Sequence, residues 1–192
     1  MLSITKTNPW VFWPSSICDT FPDNPGNKIL HGDSSFTMTV DLSFKDTKGG
    51  LICILPHYTA LEVDKKQLKF SLTYNSNKLV VKYLDYKVKN HNRCKIIFEH
   101  LKDEYFKLFV NKVNYLTLDL TKDKFKVEND PHIIFGANNF PQNKLNLLYN
   151  NINLYEFKLQ QGNEVLSHHK FKKFIYNKSY DLSNNLNFIH KI

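Results

Sequence analysis

From Phe36 to Phe44 the chain alternates without a break: Phe36, Met38, Val40, Leu42 and Phe44 are apolar, and Thr37, Thr39, Asp41 and Ser43 between them are polar. Only an extended chain sends successive side chains to opposite faces, so this stretch reads as a strand with one face in a core and one in water. On a helix the same residues would scatter around the axis. A half-buried strand needs neighbours for its backbone and a second apolar layer for its face, which commits the chain to sheet packing.

The rest of the sequence supplies both. Gly49-Gly50 turns the chain into Leu51 to Leu55, wholly apolar and closed by Pro56. Further strands are expected at 61–64, 68–74, 79–83, 85–88, 95–100, 106–110, 113–120, 132–135 and 152–159. Turn-forming clusters separate them: Asn75-Ser76-Asn77, Asn90-His91-Asn92, Lys102-Asp103-Glu104, Asn111-Lys112 and Asn129-Asp130-Pro131. Such short gaps leave no room for crossover helices, so the expected fold class is all-β, a two-sheet antiparallel sandwich. One short helical turn is expected over His168 to Tyr176, where Phe171 and Phe174 stand three apart. With 192 residues and no repeat, linker or low-complexity tract, the chain reads as a single domain over 1–192. Residues 1–30 read as an aromatic and proline-rich segment packing on it, with Trp10-Val11-Phe12-Trp13 as an edge strand before Pro14, Pro22 and Pro25. Residues 160–192 read as a C-terminal extension.

The stretch Phe36 to Phe44, then Gly49 to Leu55, resembles the opening of a laminin-G-like domain. Leu61 to Asp64, Leu68 to Leu72, Lys95 to His100 and Phe106 to Val110 follow in the order expected of it, with Ile133 to Ala137 and Leu154 to Leu159 as the later strands. The order over residues 30–160 is similar to the concanavalin A-like lectin/glucanase superfamily, which implies a two-sheet jelly-roll β-sandwich. Arg93-Cys94 stands where that family has a Trp before its central strand, and Val110-Asn111-Lys112 replaces its Val-Asp-Gly hairpin. The superfamily includes lectins, hydrolases and structural modules, so function must come from a site.

The glucanases of that superfamily carry Glu-x-Asp-x-x-Glu on one strand. Glu62-Val63-Asp64-Lys65-Lys66-Gln67 has the first two acids, but Gln67 cannot exchange a proton as the third must. No Gly-x-Ser-x-Gly, phosphate loop or His-Glu-x-x-His occurs, and no catalytic residue is assigned. Cys18, Cys53 and Cys94 lie far apart with no Cys-x-x-Cys, which removes zinc; Cys53 and Cys94 read as small buried hydrophobes. His168-His169 are neighbours, which a strand sends to opposite faces. No cofactor is expected. Calcium, which members of the superfamily often bind, would draw on Asp130, Asn138 and Asn139.

The net charge is +8, yet of 26 basic residues only Arg93 is arginine. Base readout favours the guanidinium fork, so the lysines read as solvated surface and no specific nucleic acid is expected. No apolar run reaches the ~20 residues of a membrane span. The first residues lack a basic stretch followed by an apolar one, so cytoplasmic synthesis is expected, with assembly into a virion as one destination. Sugars are held by amides and carboxylates together with an aromatic face. The loops bring those types together at Tyr58, Asn138, Asn139, Phe140, Asn150 and Asn151, the candidate ligand-binding residues. The expected function is non-catalytic, lectin-like recognition of carbohydrate. The alternative is a structural or attachment component of a viral particle or other assembly, with a protein partner or a homo-oligomer, and a degenerate glucanase-like protein comes third.

Overall fold

A computed structural model of the chain describes residues 1–4, 10–13, 34–55, 59–74, 76–124, 132–138, 150–171, 178–179 and 188–191. Its strands are β1 (Leu2–Ile4), β2 (Trp10–Trp13), β3 (Phe36–Phe44), β4 (Gly49–Leu55), β5 (Thr59–Asp64), β6 (Gln67–Thr73), β7 (Leu79–Lys87) and β8 (Arg93–Leu101). They continue with β9 (Tyr105–Val110), β10 (Val113–Asp119), β11 (His132–Phe135), β12 (Ile152–Gln161), β13 (Glu164–Lys170), β14 (Lys178–Ser179) and β15 (Phe188–Lys191). Two antiparallel sheets result. One has seven strands in the order β1-β12-β3-β8-β9-β10, with β13 also on β12; the other has eight, β14-β15-β2-β11-β4-β5-β6-β7.

The alternation in β3 is realised as expected. Phe36, Met38, Val40, Leu42 and Phe44 are at most 3% exposed, and Thr37 and Thr39 are half-buried on the other face. Asp41 and Ser43 are buried as well. The reason is local: Arg93 pairs with Asp41, and the Tyr155 hydroxyl reaches Ser43 Oγ at 3.3 Å. The apolar face of β3 looks into a core where aromatic rings join the two sheets. Phe70 of β6 stacks on Phe106 of β9 with centroids 5.2 Å apart, and Phe135 of β11 meets Phe157 of β12 edge-on at 5.3 Å. Such pairs add to the area they bury, by ~1 kcal/mol each.

Several expectations need correction. Residues 79–83 and 85–88 are not two strands; β7 runs through them, and the bulge facing Gln67 and Lys69 absorbs the break in pattern. The helical turn expected over His168 to Tyr176 is absent among the described residues: His168–Lys170 closes β13, and Phe171 N continues the ladder by donating to Tyr155 O at 3.0 Å. Polar letters hid this strand, because Ser167 and His169 are fully buried beside Leu166 and Phe171. His169 lies between the rings of Phe157 and Phe171, where an apolar residue would be expected. Phe174 lies outside the described residues. Nor is Trp10–Trp13 an edge: β2 pairs with β11 on one side and β15 on the other. Cys53 and Cys94 are free and buried, and burial pushes both thiols up to about 12; Cys18 lies outside the described residues.

The two sides of β3 should differ sharply on substitution. Val40→Asp buries an unpaired carboxylate and is expected to cost several kcal/mol, enough to unfold most domains. Thr39→Asp, one residue away on the outer face, is expected to cost under ~1 kcal/mol. Thermal melts of both variants check this, and similar melting temperatures would contradict the register described.

His100, 3% exposed and 5.3 Å from the ring of Phe36, predicts an acid-sensitive core. Burial pushes its pKa down, against a hydrogen bond at the Ser34 backbone and the charge of Asp103. The unfolded chain therefore takes up this proton first as pH falls below ~6.5, and the stability present above that pH is lost toward the folded-state pKa. In denaturant titrations at about pH 7.5 and about pH 5, the loss is expected to shrink in His100→Phe. An unchanged loss would place the acid sensitivity elsewhere.

Candidate functional site

Three segments meet at one end of the sandwich: Lys45 to Lys48 between β3 and β4, Gly136 to Asn138 after β11, and Asn150-Asn151 before β12. Gly136, at φ +80, allows the turn; its N–H donates to Leu51 O at 2.8 Å, and Asn150 N donates back to Gly136 O at 2.9 Å. Asp46 ties the third segment in. Its Oδ2 accepts from Asn151 N at 3.1 Å and Asn151 Nδ2 at 2.8 Å, and its carbonyl accepts from Asn150 Nδ2 at 3.3 Å. Gly50 of β4 lies under the loop: a Cβ there would stand 2.0 Å from Asn138 N and 2.3 Å from the Ala137 carbonyl carbon.

Of the six residues singled out in the sequence, the structure places Asn138, Asn150 and Asn151 around these segments. Asn138 is 5% exposed and Asn150 fully buried, so their amides brace the loops. Asn151 is half-buried. Tyr58, Asn139 and Phe140 lie outside the described residues, as does Asp130. Among the described residues no group of three or more His, Cys, Asp or Glu is arranged to hold a metal ion.

Asn138 leads to the outer face of the eight-stranded sheet, where Glu62 and Asp64 sit two apart on β5. Glu62 is 3% exposed; its Oε1 pairs with Lys69 Nζ, and its Oε2 accepts from Asn138 Nδ2 at 3.0 Å. Asp64 accepts the Tyr83 hydroxyl at 2.6 Å, which with the nearby Lys65 and Lys69 charges holds its carboxyl below the usual range. A general acid needs a shift the other way. The pair that echoes a glucanase motif is therefore spent on fixing Lys69, Asn138 and Tyr83.

The outer face of the seven-stranded sheet carries a mixed polar and aromatic surface. In register across it lie Gln160, Thr37, Glu99 and Lys107 in one row, and Lys158, Thr39, Ile97 and Phe109 in the next, all half-buried. Tyr105 donates its hydroxyl to Glu99 Oε1 at 2.6 Å, while Lys107 Nζ sits 3.6 Å from the centre of its ring. Further along, Arg93 donates to both oxygens of Asp41 at 2.8 and 2.6 Å, with its guanidinium carbon 4.1 Å over the Tyr155 ring. The one arginine of the chain is thus already engaged. Glu156 pairs with His168 at 2.7 Å.

Carboxylates on this face do not form a free acid–base pair. Asp41 faces Lys95, and Glu99 lies four residues further along β8, about 13 Å away and beyond glycosidase spacing. Asp41 and Glu156 are neighbours in register, but Asp41 is held by Arg93 and Glu156 contacts His168 at hydrogen-bond distance. Sequence reading passed over this face because polar positions of a strand normally mean only water. The available signal lay in Ile97, Tyr105 and Phe109, large apolar or aromatic residues on the outward parity of β8 and β9.

No protein-family model matches the chain, and no curated protein matches it in sequence. Solved structures do match in fold. The mouse laminin alpha1 chain, domains LG4-5, aligns at TM-score 0.57 and 7% identity over 80% of this chain and 39% of that one. The binding domain of botulinum neurotoxin serotype D aligns at TM-score 0.51 and 14% identity over 71% of this chain and 35% of its own. The chain thus spans well under half the length of either. The fold is the concanavalin A-like jelly-roll sandwich of the laminin-G kind.

The bracing role of Glu62 is open to direct test. Glu62→Ala removes the partner of Lys69 and of the buried Asn138 amide, and is expected to cost about 2–3 kcal/mol. Asp64→Asn, at an exposed hydrogen bond, is expected to leave the midpoint nearly unchanged. Denaturant midpoints measure both, and equal costs would remove Glu62 from this role.

Proposed function

We propose that the chain is a non-catalytic recognition module that binds carbohydrate on the outer face of its seven-stranded sheet. The observation that carries this reading is the pair of rows centred on Glu99, Lys107 and Tyr105 beside Ile97 and Phe109. A pyranose has one apolar face and a rim of hydroxyls. Phe109 and Tyr105 offer surface for the face, and Thr37, Thr39, Gln160, Glu99 and Lys107 offer donors and acceptors for the rim. The strands hold these groups at fixed 4.7–4.9 Å spacing across the sheet, so little entropy is lost when a ligand lands. The comparisons agree in kind: the serotype D region that shares the fold is named a binding domain.

A glycan array probed with labelled protein, followed by calorimetry on the hits, tests the proposal. Binding is expected, and Phe109→Ala and Tyr105→Ala are expected to weaken it about tenfold with melting temperature little changed. No bound glycan, or unaltered affinity in both variants, would overturn it. The bound glycan is expected to be recovered intact; turnover that disappears in Glu62→Gln would overturn the non-catalytic part.

A further inference from the structure

Strand β7 ends the eight-stranded sheet, pairing with β6 on one side and with no strand on the other among the described residues. Its outward residues are unusual for a free edge. Leu79, Val81 and Tyr83 are 55%, 41% and 50% exposed, three of the five exposed large hydrophobics among the described residues. They alternate along one strand, so they form a single stripe on the outer face. Lys78, Lys82, Lys87 and Lys89 are exposed along the same segment, against one acid, Asp85. Lys82 has the inward parity, opposite Phe70, yet remains exposed at the rim. The outer face is therefore apolar over Leu79 to Tyr83 and charged beyond it, at Asp85 and Lys87, while Tyr86 packs edge-on against Tyr115 of β10 at 5.6 Å, so the open stretch of this net positive edge is its first half.

An edge of this kind invites strand addition unless something blocks it. The lysines block one partner in particular. A second copy of the segment 78–89 would bring four lysines against four lysines. An acidic strand meets the opposite situation. Its apolar residues would continue the Leu79, Val81 and Tyr83 stripe, and an acid on its other face would answer Lys82.

We infer that the free edge of β7 is a docking site for an extended acidic peptide segment of a protein partner, added to the sheet as a further strand. The site is separate from the proposed sugar face, which lies on the other sheet. Backbone hydrogen bonds supply affinity, the stripe selects alternate apolar residues, and the lysines select acids between them.

The probe is a blocked heptapeptide of alternating Val and Glu, which as a strand places its valines on one face and its glutamates on the other. Fluorescence anisotropy is expected to show saturable binding, with hydrogen-exchange protection gained at β7 amides. Substituting Lys for Glu in the peptide, or Pro for its central Val, is expected to weaken binding about tenfold or more. In the protein, Lys82→Glu and Val81→Lys, both at exposed positions, are expected to do the same without changing the melting temperature. No binding of the Val-Glu peptide overturns the inference. So does equal binding of the proline peptide without protection of β7, since charge alone would then suffice. Tighter, Lys82-dependent binding of heparin or of phosphatidylserine vesicles would also overturn it, by showing that the edge serves a polyanion and not a strand.

Discussion

Everything in this sandwich depends on burying one face of β3. Five side chains on that face are excluded from water, and each side of the strand is paired, β12 on one edge and β8 on the other. At about 1.5–3 kcal/mol per fully buried side chain, burying this face contributes on the order of 10 kcal/mol. It also organises what lies beyond it. β12 carries β1 on its first residues and β13 on its later ones, with the change of neighbour at the Tyr155 bulge. Both flanking segments of the chain thereby enter the sheets through strands that β3 or its facing layer has already positioned.

The polar groups inside the structure have a common character. Glu62 with Lys69 and Asn138, Asp46 with Asn150 and Asn151, and Asp41 with Arg93 each join segments far apart in sequence. A buried ion pair adds little net stability over apolar packing, but breaking one leaves a charge stranded. Their effect is to hold loops and neighbouring strands in one arrangement. Glu62, Asp46 and Asp41 are thereby each held by a partner. On the outer face of the seven-stranded sheet, Glu99, Lys107, Tyr105 and Phe109 bring polar and aromatic groups onto one surface.

Charge takes a different meaning once the strands are placed. Along the whole chain the lysines look evenly spread, which argued against a polyanion site. Within the segment 78–89, however, four of them accompany the apolar stripe of the edge strand β7, while the only arginine is drawn into Asp41 and Tyr155. Pairing gives such a run its meaning: Lys82 and Lys87 lie on opposite faces of β7, and both border a backbone edge that no described strand covers.

The period of two was legible from the residues alone, and with it β3, the apolar strand β4 and most of the ladder that follows; side-chain alternation is a local property of extended backbone. The jelly-roll class was legible too, through the resemblance of that strand order to laminin-G-like domains. The sequence could not disclose β13, whose core positions include Ser167 and His169, because a polar residue is accepted inside only when tertiary neighbours such as Phe157 and Phe171 enclose it. Nor could it separate Asn138 and Asn150, buried as braces, from amides free to meet a ligand, since both read as ordinary turn residues. Pairing decided that β2 is interior and β7 an edge, for hydrogen-bond partners come from anywhere in the chain. Local alternation belongs to the sequence; which face meets which, and what is left uncovered, depends on contacts between residues a hundred positions apart, and only the tertiary structure settles those.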